Sequence, residues 1–461
     1  MPATARARCP HILRAVLAQV LLVALLVTNA AAQLVTTIAG GGQGHADGVG
    51  TNAQFTSLTG ISVDPSTGTL FAADEYYLRS MNLASGLVTT FAGGGGQRYS
   101  PPIDGYGTSA IFSYLGGVTV NGDTVFVSDT YNCGAIRNVT PSAVVSTFAG
   151  QEEYGCRGYS DGIGTNAGFG FPLSFAVDLL STNLYVTDFG PNTIRSVSPS
   201  GLVSTIAGAG NGQGGWADGT GTNTQFNLPA ALTVDSLGTV YICDSDNHVI
   251  RAMKGDSVST FAGKAQVAGF QDGVGSNAQF NYPNGITVDI SNILYVADKL
   301  NFKIRRITPD GVVTTFVGGG ANGFSPGYAD GLGTNAYFSY PYFITIDKPG
   351  STLYVTDIEY GLFPIIRSVD LVPPPSLTSS PSPTSSPSSF PSSTDATYIA
   401  TLFGCAIGGG LVVLLAQEGL RRYRLGRVVP ARKVEQQLSG LSGALSAPLL
   451  GVSDGDEASL N

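Results

Sequence analysis

The stretch Val312-Val-Thr-Thr-Phe-Val-Gly318 is one of six related copies along this chain of 461 residues. Each copy ends at a glycine, and these glycines are Gly40, Gly93, Gly150, Gly208, Gly263 and Gly318. They lie 53 to 58 residues apart, a spacing somewhat above the usual propeller blade of about 40 to 45 residues. The repeat therefore predicts an array of similar small antiparallel sheets.

The fifth repeat shows what each unit contains. After the loop Asp272–Phe280 come four short runs rich in β-branched and aromatic residues, namely Gly285–Asp289, Leu294–Asp298, Lys303–Ile307 and Val312–Phe316. Runs of this composition, separated by Pro-Asn-Gly and Pro-Asp-Gly turns, are typical of β-strands. Each unit is thus predicted to form one four-stranded blade.

The two ends of the array predict how it closes. Val35–Gly40 matches an outermost strand but has no blade before it, whereas the last unit stops after its third strand at Ile365–Leu371. Pairing the N-terminal strand into the last blade removes open sheet edges, which invite aggregation. We therefore expect an all-β fold, a six-bladed β-propeller closed by its N-terminal strand, together with one transmembrane helix.

The repeats resemble those of the NHL-repeat family of six-bladed β-propellers. The resemblance rests on Asp-Gly-x-Gly-Thr-Asn-Ala-x-Phe, Leu-Tyr-Val-x-Asp, x-x-Asn-x-Ile-Arg and Val-x-Thr-x-Ala-Gly, and it covers residues 35–371. It implies the fold, but propellers of this kind serve in scaffolding, adhesion, RNA binding and enzyme chemistry. Function must therefore be argued from the residues of this chain.

The N-terminal segment predicts entry into the secretory route. Arg6, Arg8 and Arg14 are followed by the apolar run 16–27, which leads to three alanines before Gln33. This order is typical of a cleaved signal peptide over residues 1–32. An uncleaved membrane anchor is the alternative, although the apolar run is short for crossing a bilayer.

The C-terminal segments predict a tether. The propeller ectodomain, 33–372, is followed by a stalk rich in Pro, Ser and Thr over 373–397. Residues 398–416 carry no charge and are long enough for a membrane-spanning helix. The arginines after them place the tail, 417–461, in the cytosol, where it is expected to be disordered.

Together these segments describe a single-pass type I protein of the plasma membrane or another secretory-pathway membrane, with its propeller extracellular or lumenal. Gly404 and Gly408 form a Gly-x-x-x-Gly pair within the predicted span. Such pairs allow two membrane helices to pack closely, so a homodimer is a hypothesis. The alternative is that glycine is simply frequent in membrane helices.

The charge of the ectodomain argues against nucleic acid as a partner. Residues 33–397 contain 14 Lys and Arg against 27 Asp and Glu, a net charge of −13. Phosphate backbones are bound by clustered Lys and Arg. We expect no nucleic acid at this surface.

The cysteines and one sequon fit an oxidising compartment. Cys133 and Cys156 lie in two loops of the second blade that project from one face, so we predict a disulfide between them, with free thiols as the alternative. Cys243 occupies an alanine position of the repeat and is expected to be a buried thiol. Asn138 begins the N-glycosylation sequon Asn138-Val-Thr140 and marks a candidate glycoprotein site.

Aspartate and arginine recur once per repeat. An Asp ends the second strand of each repeat and an Arg lies in the third strand. A residue repeated in all blades is better explained as a strand-end tie than as a catalytic group.

The Asp-Gly loops lack the alternating ligand spacing of a calcium loop, and turn chemistry accounts for them. The ectodomain retains two histidines, too few for a three-His zinc site. We expect no catalytic residue, no metal and no cofactor.

Departures from the repeat are the better candidates for an interaction face. They lie in the long loops and in the turn after the second strand of the fourth unit, and they are Tyr99, Tyr154, Trp216 and His248. Trp216 shares its place, two residues before an Asp-Gly, with Tyr159, Phe270 and Tyr328, so packing is the alternative to ligand contact.

Two functions of different classes remain open at this point. The favoured one is a non-enzymatic, membrane-tethered module that presents one loop face to a protein or glycan. The alternative is a metal-dependent hydrolase or lyase of the six-bladed propeller type, with carboxylates in the central channel.

Overall fold

The computed structural model of the chain describes residues 33–94, 101–130, 134–151, 159–320, 323, 325–347, 350–358 and 363–371. Within these ranges the backbone forms 30 β-strands in six antiparallel sheets of five strands each. The sheets are the six blades of the predicted propeller.

The N-terminal strand and the first three blades have the following bounds. They are β1 (Leu34–Ala39); β2 (Gly48–Val49), β3 (Leu58–Asp64), β4 (Thr69–Asp74), β5 (Tyr77–Asn82) and β6 (Leu87–Gly93); β7 (Gly105–Tyr106), β8 (Leu115–Asn121), β9 (Thr124–Asp129), β10 (Ala135–Val139) and β11 (Val144–Gly150); β12 (Gly162–Ile163), β13 (Pro172–Val177), β14 (Leu184–Asp188), β15 (Thr193–Val197) and β16 (Leu202–Ala207).

The last three blades follow the same order. They are β17 (Gly219–Thr220), β18 (Pro229–Val234), β19 (Val240–Asp244), β20 (Val249–Lys254) and β21 (Ser257–Ala262); β22 (Gly273–Val274), β23 (Pro283–Val288), β24 (Leu294–Asp298), β25 (Lys303–Ile307) and β26 (Val312–Gly318); β27 (Gly331–Leu332), β28 (Pro341–Ile346), β29 (Thr352–Asp357) and β30 (Ile365–Asp370). Single 3-10 turns lie at Gly50–Asn52, Gly107–Ser109, Gly164–Asn166, Gly221–Asn223, Ser245–Asn247, Gly275–Asn277, Lys299–Asn301 and Gly333–Asn335.

Each blade has one strand more than the sequence predicted. The extra strand comes from the Asp-Gly loop, and in the first blade Gly48 and Val49 pair with Val88 and Leu87 of β6. The prediction of four strands was wrong because two residues are too few to show a strand pattern. For the same reason β1 is not an outermost strand, since it lies between β30 and β27.

The predicted closure by the N-terminal strand is confirmed. In the sixth blade β1 runs antiparallel to β30, with Val35 opposite Val369 and Thr37 opposite Arg367. On its other side Leu34 pairs with Leu332 of β27. The ring therefore closes through hydrogen bonds between the two ends of the array, and residues 33–371 contain every described strand.

The core lies between neighbouring blades. One cluster joins Leu78 of the first blade to Phe112 and Val127 of the second. Near the axis the inner strands touch through their backbones, because a Cβ on Gly60 would lie 2.5 Å from the amide nitrogen of Val118. Glycine at such positions lets the blades approach.

The two ends of the ring differ in their connections. The upper face, as we name it, carries the turns between second and third strands, such as Ser245–His248, and the first part of each long loop. The lower face carries the turns between first and second strands. Because β1 occupies a fourth-strand position and β30 a third-strand position, Leu34 and Leu371 both lie at the lower face.

Among the residues that the structure describes, none belongs to a helix long and apolar enough to cross a bilayer. The predicted signal peptide (1–32), the stalk, the span at 398–416 with its Gly404 and Gly408, and the tail lie outside the described residues. These assignments stay predictions.

Removing β1 should prevent the ring from closing. We expect a fragment of residues 41–371 to aggregate or to unfold at lower temperature than a fragment of residues 33–371, because the edges of β27 and β30 lose their shared partner. Size-exclusion chromatography and thermal unfolding followed by circular dichroism measure this. Equal melting temperatures and monomeric elution of both fragments would show that closure contributes little.

Candidate functional site

Every blade holds one buried arginine between two aspartates, and the fourth blade shows the arrangement. Arg251 on β20 donates from Nη1 to Oδ2 of Asp244 at 2.8 Å and from Nη2 to Oδ1 of Asp218 at 2.7 Å. The guanidinium carbon lies 5.3 Å from the ring centroid of Phe226. We call this unit the clamp. It ties the end of a second strand and the preceding long loop to the third strand.

The clamp recurs six times with little variation. The Nη1 atom lies 2.8–3.4 Å from the inner aspartate, which ends the second strand, and Nη2 lies 2.5–2.8 Å from the outer one in the loop. Arg79, Arg137, Arg195, Arg251, Arg305 and Arg367 pair with inner Asp74, Asp129, Asp188, Asp244, Asp298 and Asp357, and with outer Asp47, Asp104, Asp161, Asp218, Asp272 and Asp330; the rings are Phe55, Phe112, Phe169, Phe226, Phe280 and Phe338. The prediction of strand-end ties is confirmed, and the six phenylalanine rings are buried.

The outer aspartates do more than the predicted turns. Oδ1 of Asp218 accepts hydrogen bonds both from Arg251 and from the hydroxyl of Thr260, at 3.1 Å. The prediction that turn formation alone accounts for these aspartates was wrong. An Asp-Gly pair is a local sequence signal, and it does not reveal a contact with Arg251, which lies 33 residues further along the chain.

Burial opposes ionisation of the inner aspartates. Burial raises the pKa of Asp244 to about 6 and that of Asp357 to about 7, while the neighbouring arginine acts in the opposite direction. In the third blade burial also acts to raise the pKa of Asp161, but hydrogen bonds from Thr205 and Arg195 outweigh it and hold that pKa below its usual value. The outer carboxylate there carries the negative charge that balances the arginine.

The imidazole of His45 makes the contact that an asparagine side chain makes in the fourth blade. Its Nδ1 lies 3.3 Å from Oδ2 of Asp74 and its Nε2 lies 3.2 Å from Oγ1 of Thr56. In the fourth blade Asn247 donates to the corresponding oxygen of Asp244 at 2.9 Å. His45 therefore satisfies a clamp carboxylate and supports the loop.

His248 lies in the upper-face turn after β19, in a left-handed conformation with φ of 59°. Its Nδ1 accepts the backbone N–H of Tyr282 at 3.2 Å, and the two rings are 4.9 Å apart edge to face. Burial lowers the pKa of His248, and Asp246 acts against this shift. The ring is thus neutral, with its proton on Nε2, which leaves Nε2–H as a donor.

Trp216 lies in the long loop beside this turn. Its side chain is 50% exposed. The side-chain amide of Asn247 donates to the carbonyl of Gly215 at 2.6 Å, so the loop of Trp216 is bonded to the turn of His248. The structure therefore brings two of the predicted interaction-face residues together on the upper face.

Exposed rings at equivalent positions extend this surface across three blades. Tyr159 and Phe270, each two residues before an outer aspartate, are 39% and 50% exposed, and Tyr282 is 36% exposed. We call Tyr159, Trp216, Phe270 and Tyr282 the aromatic arc. Tyr282 was missed in the sequence, although an aromatic residue recurs just before the inner strand, as at Tyr114 and Phe171.

The other sequence candidates have separate outcomes. Oδ1 of Asn138, on β10, accepts a hydrogen bond from the hydroxyl of Ser146 at 2.6 Å, and glycosylation of Asn138 stays a prediction. Cys243 is confirmed as a buried thiol, whose pKa is raised by burial and by Asp298 and Asp244. The disulfide candidates Cys133 and Cys156, and the loop residues Tyr99 and Tyr154, lie outside the described residues.

The central channel opens at the lower face. A cavity of about 540 Å³ at the mouth adjoins a section of about 230 Å³ between the inner strands, and Val120 and Leu179 line both. Asp64 and Asp289 at the mouth accept hydrogen bonds from their own turns. Within the described ranges no group of three or more His, Cys, Asp and Glu side chains is placed to share a metal ion.

The repeats match a known family model. The NHL repeat model matches residues 226–252, which run from the clamp phenylalanine of the fourth blade into its third strand. The human protein "NHL repeat-containing protein 2" is 26% identical over 307 residues, which cover 59% of this chain and 42% of the relative. Residues 226–252 thus match an NHL repeat within a six-bladed β-propeller. The match spans about two fifths of the relative's length. It therefore shows a similarity in the repeats and says nothing of the relative's activity.

Solved structures show the same fold as this NHL-repeat propeller. A protein of unknown function from Bacteroides thetaiotaomicron is 21% identical with a TM-score of 0.55, over 74% of this chain and 76% of that one. An auxiliary nutrient binding protein from Bacteroides ovatus is 17% identical with a TM-score of 0.55, over 73% and 76%. At these identities the likeness concerns the fold alone.

Replacing a clamp arginine should destabilise the NHL-repeat propeller strongly. We expect Arg251→Met to lower the free energy of unfolding by about 3–5 kcal/mol, because two carboxylates lose a buried partner. Lys254→Met, on the exposed end of the same strand, is the matched control. Urea unfolding measures both variants, and equal losses for the two would contradict a structural role of the clamp.

Acid should weaken the contact of His248. The folded pKa lies below 6.5, so the unfolded chain binds the proton more readily and this contribution to stability is lost as pH falls from about 6.5 towards the folded pKa. The raised pKa values of the inner aspartates make the fold more stable as pH falls, which is the opposite trend. The protein is therefore compared with His248→Asn, which keeps these aspartates and tolerates the left-handed turn. Unfolding free energies of both proteins across this range should converge as pH falls; parallel curves would contradict the assignment.

Proposed function

We propose that this chain is a membrane-tethered propeller, extracellular or lumenal, that binds a protein or glycan ligand through its upper face. The aromatic arc is the observation that carries this proposal. Four large rings remain 36–50% exposed on one face, whereas the six clamp rings are fully buried. Large exposed rings supply most of the energy of many binding surfaces.

The arc is held in place by the clamps. Arg251 and Arg305 fix the loops that carry Trp216 and Phe270, through outer Asp218 and Asp272. Rings on a fixed backbone lose little conformational entropy on binding. The surface is thus suited to recognition without rearrangement.

The path of the chain supports the tether. The last strand, β30, ends at the lower face, opposite the aromatic arc, and this position of Leu371 is compatible with a stalk that follows it in the chain. The stalk over 373–397 and the uncharged run 398–416 supply reach and anchor in this proposal. A homodimer through Gly404 and Gly408 is compatible with it.

The metal-dependent hydrolase or lyase is the alternative, and no specific contact among the described residues favours it. The acidic ectodomain, with a net charge of −13 over residues 33–397, supports the proposal that nucleic acid is not a partner. Metal content of the full chain, purified without chelators, separates the two classes: a stoichiometric ion favours the alternative.

Binding by the full chain at the cell surface should depend on the arc. We expect Trp216→Ala/Phe270→Ala to lose ligands that the unaltered chain selects from arrays of glycans and secreted proteins, because both rings are exposed contacts. Leu237→Ser/Ile290→Ser, which alters exposed residues of the lower face, is the matched control and should retain binding.

Topology is read in the same cells. An epitope inserted between Ala32 and Gln33 should be stained on intact cells. An epitope after Asn461 should be stained only after permeabilisation. Loss of binding in the lower-face variant alone, or staining of the C-terminal epitope on intact cells, would contradict the proposal.

A further inference from the structure

We propose that the surface around Trp216 is a subsite for a neutral glycan. This inference rests on the proposed function and names the ligand class of the same face. Sugar rings offer an apolar face of C–H groups and an edge of hydroxyls, so they require an open aromatic ring beside planar hydrogen-bonding groups. The fourth blade supplies both.

The ring of Trp216 is open, whereas His45 and Phe270, its equivalents in the first and fifth blades, are engaged. His45 stacks on Tyr77 with ring centroids 4.1 Å apart, and Phe270 lies 5.3 Å from the ammonium of Lys303. Within the described part of the chain Trp216 has neither a ring partner nor a cation over its face. A ligand is free to stack on it.

The loop that carries Trp216 is held from below. A Cβ on Gly214 would lie 2.3 Å from Oδ1 of Asn227, and one on Gly215 would lie 2.4 Å from Oε1 of Gln225, so the glycines rest directly on these two amides. The bond from Asn247 to the carbonyl of Gly215 adds a second support. The indole is therefore carried by a loop that is fixed before the ligand arrives.

Planar polar groups lie next to this loop. The carboxylate of Asp246 accepts the side-chain amide of Asn227 at 2.8 Å, and Asp246 also raises the pKa of the Tyr282 hydroxyl. His248 presents Nε2–H, because its Nδ1 is occupied by the backbone of Tyr282. Gln225 is exposed. Donors and acceptors of this kind match vicinal hydroxyls.

The surroundings favour a neutral sugar over other ligands. The loop before Trp216 is Asn211-Gly-Gln-Gly-Gly215, polar and largely exposed, so the ring is not part of a continuous apolar patch of the kind found at the centre of protein interfaces. The ectodomain has a net charge of −13 over residues 33–397, which repels anionic polysaccharides. A neutral glycan fits both conditions.

Isothermal titration calorimetry on the full chain in detergent micelles tests the subsite. The probes are cellohexaose, mannohexaose and chitohexaose, with a heparin hexasaccharide as the anionic comparison. We expect at least one neutral hexasaccharide to bind and heparin not to bind. Trp216→Ala should weaken that binding by at least about tenfold, the scale of one lost stacking contact.

Further variants separate the roles of the groups. His248→Ala should weaken binding, and His248→Gln, which keeps a side-chain donor, should restore part of it. Tyr106→Ala removes a ring that is 68% exposed on the outer strand of the second blade and should leave affinity unchanged. Circular dichroism melts confirm that each variant is folded.

Several results would overturn the inference. These are no heat from any neutral hexasaccharide at millimolar concentration, equal affinity in Trp216→Ala, or stronger binding of heparin. If saccharides fail while a protein ligand depends on the aromatic arc, the subsite is wrong and the proposed function stands. If nothing depends on the arc, both are wrong.

Discussion

A guanidinium removed from water must be matched by charge and by hydrogen-bond acceptors, and this requirement organises the whole propeller. Arg251 meets it with Asp244 from the second strand, Asp218 from the preceding loop and the face of Phe226. Asp218 and Asp244 lie 26 positions apart in the chain, so pairing one arginine with both fixes a strand end and a loop together. Six repetitions fix six loops, and the charge on the outer carboxylate keeps each loop at the boundary between core and solvent.

Fixed loops make the positions beside the clamp available for variation. The residue two before the outer aspartate is His45 in the first blade, Tyr159 in the third, Trp216 in the fourth and Phe270 in the fifth. The backbone that carries them is held by the clamp, so a change of side chain alters the surface and not the fold. Binding residues on rigidly supported loops are a general solution to the conflict between stability and function.

The two faces of the ring have different tasks in this arrangement. Both described ends of the propeller, Leu34 and Leu371, lie at the lower face, where the channel also opens. The upper face carries the aromatic arc and the turn of His248. Closure through β1 and β30 joins both described ends of the propeller to one blade.

The sequence by itself determined the number of blades, the order of their main strands and the closure, because strand composition, turn residues and repeat length are local signals. It also identified the arginines and aspartates of the clamps by their recurrence. Only the tertiary structure paired outer Asp218 with Arg251, added strands as short as Gly48–Val49, and placed Tyr282 against His248. These contacts join residues 33 or more positions apart, or elements too short to have a pattern, and such contacts are decided by how the blades pack.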